Sequence, residues 1–169
     1  MRKNITIRLS AALAIDILAV CVVVFMGDLS AFFKVPLYQY DLMRLLVILS
    51  IAFTPRWNGF LLAFLLPLIS WYFGGHPHFL KSGLMMVELL VNVWLFWFLF
   101  DRIRFSLLSM ILAILFSKLL YYTLKYLFIT QGWISGELVS TPVDLQLITG
   151  LLYSVFIFIV FNVGGRKKK

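Results

Sequence analysis

Between Phe79 and Phe100 the chain reads FLKSGLMMVELLVNVWLFWFLF, an apolar stretch in which Lys81 and Glu88 are the only charged residues. A segment of this length and apolarity matches the hydrocarbon thickness of a bilayer. Inside lipid every backbone N–H and C=O must be satisfied within the protein, which leaves helices and closed barrels. Barrel strands alternate apolar and polar residues, whereas this stretch is continuously apolar, so it reads as a helix. Similar runs recur at residues 5–26, 42–53, 57–73, 105–129 and 145–163. The expected fold is an all-α integral membrane protein, one domain built as a compact bundle of six transmembrane helices.

Composition agrees. Of 169 residues, 63% are hydrophobic and 13% charged, where soluble domains carry about 25% charged residues; mean hydropathy is +1.01. The 17 Phe, 7 Tyr and 5 Trp suit a lipid-facing surface with aromatic belts at its edges. The net charge of +8 does not point to nucleic acid, because the cations sit at chain ends and in short connections, where membrane orientation explains them. One cysteine excludes an intrachain disulfide and a multi-cysteine metal site. The basic start MRKNITIR resembles a signal peptide, but Asp16 interrupts the apolar run and no A-x-A site follows, so an uncleaved first helix is expected.

Charge also predicts orientation. With the N-terminus inside, the inner segments carry Arg2, Lys3, Arg8, Arg56, Arg102, Arg104, Arg166 and Lys167 to Lys169, and the outer loops carry Lys34 and Lys81. This positive-inside asymmetry predicts that both termini are cytoplasmic. Two long loops, residues 27–41 and 131–144, and the turn Gly74–His78 then face outside.

The chemistry-bearing residues fall on two helical stripes. Lys81, Met85, Glu88 and Asn92 share one face of the fourth span, and Lys118, Tyr121, Tyr122 and Lys125 lie on the fifth. At about 1.5 Å per residue, Glu88 and Lys118 both fall roughly 12–17 Å below the outer ends of their helices, with Arg44 and Lys125 shallower on the same side. A charge at such depth is a functional hypothesis by default. The pattern predicts a pocket in the outer half, covered by the long loops; the plainer alternative is a structural Glu88–Lys118 ion pair with snorkelling cations. The excess of Lys34, Arg44, Lys81, Lys118 and Lys125 over Glu88 suggests an anionic ligand. Trp71, Tyr72, Tyr121, Tyr122 and Trp133 are candidates to stack on a ring.

Asp16 in the first span needs a partner, for which Arg44 and Lys118 are candidates. Small residues beside it, Ser10, Ala12, Ala14 and Ala19, would let another helix approach closely. His76 and His78 are too few for a metal site, and no metal or cofactor is expected. No H-E-x-x-H, G-x-S-x-G or P-loop occurs, so an enzyme is not expected.

From Gly59 to Leu90 the chain resembles the substrate-binding (S) components of energy-coupling factor (ECF) vitamin transporters. The residues that carry the likeness are Pro67 and Ser70 in the third span, Gly75 and Pro77 in the turn, and Glu88 in the fourth span. The resemblance implies six helices in a bacterial cytoplasmic membrane with both termini inside. It also implies capture of a vitamin-like small molecule near the outer face, here by Arg44, Trp71, Lys81, Glu88, Asn92, Lys118, Tyr122 and Lys125. A separate membrane coupling subunit and two ATPases would supply the energy. In that family a small-residue motif on the first helix docks the coupling subunit, and the nearest equivalent here is Ser10-x-x-x-Ala14. A second resemblance, carried by Pro55-Arg56-Trp57 and Gly75-His76, is to rod-shape-determining membrane subunits of the MreD type. Those are scaffolds that bind other membrane proteins and no metabolite.

Overall fold

A computed structural model describes residues 2–74 and 78–163, with side chains described at all of these except 2–9, 11 and 38. Gly75, His76, Pro77 and the basic tail of residues 164–169 lie outside the described residues. Among the described residues there are seven α-helices and no strand: α1 (Arg2–Val24), α2 (Met26–Phe33), α3 (Leu42–Phe53), α4 (Arg56–Gly74), α5 (Phe79–Ile103), α6 (Ser106–Thr130) and α7 (Val143–Val163). A short 3₁₀ turn, Leu37–Tyr40, precedes α3.

Four of these helices, α4 to α7, are long and apolar enough to cross a bilayer. Their outward faces are rich in large apolar side chains, such as Leu119 on α6 and Leu147, Leu151 and Leu152 on α7, as a lipid environment requires. The chain is thus a multi-pass helical membrane protein. The expected first span differs from what is observed, and the second, though in its expected place, is too short to cross. The first is broken: Ala12–Val24 and Met26–Phe33 meet at 68°, so part of the expected outer loop is itself helical. The second has the expected bounds, but with 12 residues it is only ~18 Å long, short of the ~30 Å hydrocarbon core.

Local chemistry explains the ends of α3. At its C-terminus Thr54 is extended, with φ −117° and ψ 174°, as the residue before Pro55 must be. At its N-terminus Asp41 takes the left-handed conformation, φ 55°, which turns the chain abruptly from the 3₁₀ turn into the helix.

The core runs along α3, α4, α5, α6 and α7 through Val47, Ile51, Ala63, Leu66, Val93, Phe96, Met110 and Ile157, all buried. Gly59 lets α4 approach its neighbours: a Cβ there would sit 3.3 Å from Ile51 and 3.4 Å from Val93. Toward the C-terminal end of α5, Phe96, Trp97 and Phe100 interlock with Phe161, with ring centroids 5.0 to 6.2 Å apart. Aromatic rings fill this end of the bundle.

Asp16 does not meet Arg44 or Lys118. It accepts a 2.7 Å hydrogen bond from Asn58 Nδ2 in the first turn of α4, and the same nitrogen lies 3.2 Å from Ser50 Oγ. Ser50 in turn shares a 2.8 Å hydrogen bond with Thr54. In the fold Asp16 is level with the start of α4 and with Ser50 in the C-terminal half of α3, whereas Arg44 is at the opposite end of α3. Nearby, Arg56 makes two 2.9 Å bonds to Asp101 and lies 4.3 Å over the Trp97 ring.

Candidate membrane-embedded binding cavity

Because α3 is short, its N-terminus stops midway along the bundle, beside Glu88 of α5 and Lys118 of α6. There four charged side chains meet. The Arg44 guanidinium donates to Glu88. Arg44 Nε is 3.2 Å from Asp41 Oδ2, within ion-pair reach but out of line for a hydrogen bond. Lys118 Nζ is 3.3 Å from Asp41 Oδ2 and 3.7 Å from Glu88 Oε1. Arg44 is 1% exposed and Glu88 7%, so each buried charge depends on the opposite charges packed against it. Two carboxylates and two cations neutralise one another.

Above this quartet, where a full-length third helix would otherwise stand, lies a cavity of about 1240 Å³. Asp41, Glu88 and Lys118 lie at its floor, and Lys81, Met85, Tyr121 and Tyr122 line its walls. Its cover has two parts. One is α2 with the following turn, contributing Met26, Asp28, Ser30 and Gln39; the other is the α6–α7 connection, contributing Trp133, Ser135 and Thr141.

Both covers are tied down. Tyr153 of α7 donates to the Tyr40 carbonyl beside Asp41, and Ser30 Oγ accepts from Leu37 N–H at 3.3 Å. In the second cover, Lys125 Nζ donates to the Leu138 carbonyl at 2.8 Å and Gln146 Nε2 to the Thr141 carbonyl at 2.7 Å. Tyr122 OH donates to Gln146 Oε1 at 2.7 Å, linking that cover to the cavity wall.

Of the eight residues picked out for ligand binding, Lys81, Glu88, Lys118 and Tyr122 line the cavity. Arg44 is beneath it, holding Glu88. Asn92 is fully buried one turn below Glu88, where its Nδ2 is 3.4 Å from Ser117 Oγ and its Oδ1 has no hydrogen-bond partner among the described residues. Trp71 is outside the lining, with its ring 5.0 Å from that of Phe79. Lys125, expected as a shallow cation, is 2% exposed and bonded to the loop carbonyl. Ser10 and Ala14 of the docking motif are exposed on α1.

The cation excess inferred from sequence does not survive folding. Arg44 and Lys118 are matched by Asp41 and Glu88, Lys125 is turned into a loop, and Lys34 is absent from the lining. Asp41 was missed because it sat at the edge of an expected loop. Its spacing three residues before Arg44, at a helix start, was the available signal. Among the described residues no group of three His, Cys, Asp or Glu is placed to hold a metal. Comparison of the chain with family models, curated proteins and solved structures finds no match.

Proposed function

We propose that this protein captures a small molecule within the membrane, as the substrate-binding component of an ECF-type importer that relies on a separate coupling subunit and two ATPases. The cavity carries this reading. About 1240 Å³ is enough for a vitamin-sized molecule, since ligand sites generally span about 300–1,000 Å³. It combines aromatic walls with a few convergent polar groups, and it is closed at the floor by paired charges and below them by the aromatic core. The positive-inside rule supports an outward-facing cavity once the basic start of α1 is counted: Arg2, Lys3, Arg8, Arg56, Arg102 and Arg104 belong to segments at the filled end, against Lys34, Lys81 and Lys125 at the cavity end. The rival role, a scaffold of the MreD type, has use for the buried ion pairs but none for a partly covered cavity of this size.

The test is to purify the protein in mild detergent, denature it, and identify released small molecules by mass spectrometry. A stoichiometric metabolite is expected. Its occupancy should fall in Met85→Trp, which pushes an indole into the cavity from its wall while leaving the quartet intact. A protein that carries no metabolite and co-purifies instead with cell-wall or cell-shape machinery would favour the scaffold.

A further inference from the structure

The charges around the cavity specify more than that something binds. Three carboxylates, Asp28, Asp41 and Glu88, and two lysines, Lys81 and Lys118, line it, and Arg44 beneath the floor brings the cations to three. At the floor, Asp41 and Glu88 are already matched by Arg44 and Lys118. An anion or cation placed against that floor would have to break an existing pair or stay uncompensated, and both are costly away from water.

The remaining two charges differ. Lys81, half-buried in the first turn of α5 with Lys125 as a neighbouring cation, and Asp28, exposed on the α2 cover, make no ion pair or side-chain hydrogen bond among the described residues. They are of opposite sign and reach the same cavity from different elements. Phe79, Tyr121 and Trp133 supply ring surface on the same lining. Resting on the capture role proposed above, we infer that the ligand is a zwitterionic, ring-bearing small molecule whose acid group pairs with Lys81 and whose basic group pairs with Asp28. The self-neutralised floor then discriminates against molecules of net charge, and the two wall residues orient the accepted one.

The probe is the low-molecular-weight filtrate of yeast extract, separated on ion exchangers at pH 7 into anionic, cationic and unretained fractions. The unretained fraction is divided again by passing it over a cation exchanger at pH 2 and then an anion exchanger at pH 11; only molecules that carry both a basic and an acid group are held by both, and they are the zwitterion fraction. Each fraction is added to the extensively dialysed full-length protein in detergent, and the shift in Tm is read. The zwitterion fraction alone should raise Tm. In Lys81→Gln and in Asp28→Asn the concentration needed for the same shift should rise about tenfold, the value of one charge-assisted hydrogen bond. Both positions are outside the quartet, so the unliganded Tm serves as a folding control. Stabilisation by the anionic, cationic or neutral fraction would overturn the charge assignment while keeping capture. Stabilisation by zwitterions that both variants retain would overturn the roles of Lys81 and Asp28. No shift with any fraction would overturn both the ligand class and the capture role.

Discussion

Arg44 in the first turn of α3 donates to Glu88 of α5, 44 residues further along the chain. The pair joins the start of α3 to α5 at the floor of the cavity, together with the Asp41–Lys118 contact. A buried ion pair often contributes little net stability over apolar residues of the same size, but removing one partner leaves a bare charge behind. Glu88→Gln should therefore destabilise by about 3–5 kcal/mol, and the double replacement Arg44→Met with Glu88→Leu should recover most of that loss. Denaturant unfolding in detergent reads both. An unchanged midpoint in Glu88→Gln would mean that the pair does not anchor α3.

The Arg56–Asp101 pair has better hydrogen-bond geometry, with two 2.9 Å contacts, yet it should matter far less. Its side chains are 47% and 38% exposed, so water and salt screen them. Asp101→Asn should cost under about 1 kcal/mol, with the difference from wild type shrinking as salt is added. A loss as large as that of Glu88→Gln would show this end of the bundle to be drier than its exposure indicates.

Asn58 donates to the Asp16 carboxylate, linking α1 to α4. Asn58→Leu should cost about 1–3 kcal/mol, because it strips a partly buried acceptor of its donor. Asp16→Asn, which keeps a hydrogen-bonding oxygen, should cost less. Since this link sits at the filled end, ligand occupancy measured by mass spectrometry should stay at the wild-type level in both. Loss of ligand in folded Asn58→Leu would show that α1 transmits its position to the cavity.

Tyr153 ties the turn before α3 to α7 through the Tyr40 carbonyl. Tyr153→Phe should remove about 0.5–1.5 kcal/mol of local stability. Amide exchange over residues 34–41 should then quicken, with protection of α5 and α6 unchanged. Uniform loss of protection across the bundle would assign Tyr153 to the global core instead of the cover.

Much of the site was legible before folding. The helical stripe Lys81, Met85, Glu88 follows from a period of 3.6 residues, and all three line the cavity. Depth counting brought Glu88 and Lys118 level from opposite chain directions, and they lie 3.7 Å apart. The same counting put Arg44 too shallow, because it assumes a span that starts at the membrane face, and the 12-residue α3 starts beside Glu88 instead.

What the sequence by itself determined is the class of molecule and the helix faces. Continuous apolar runs leave the backbone no choice but helix in lipid, and helical periodicity sets which side chains share a face. Only tertiary structure decided the charge of the site. Asp41 belongs to the cavity because its left-handed backbone, φ 55°, turns the chain into the bundle beside Lys118, a contact 77 residues away in sequence. Pairing energy falls off over a few ångströms, so a charge balance counted along the chain says little until folding has chosen the neighbours.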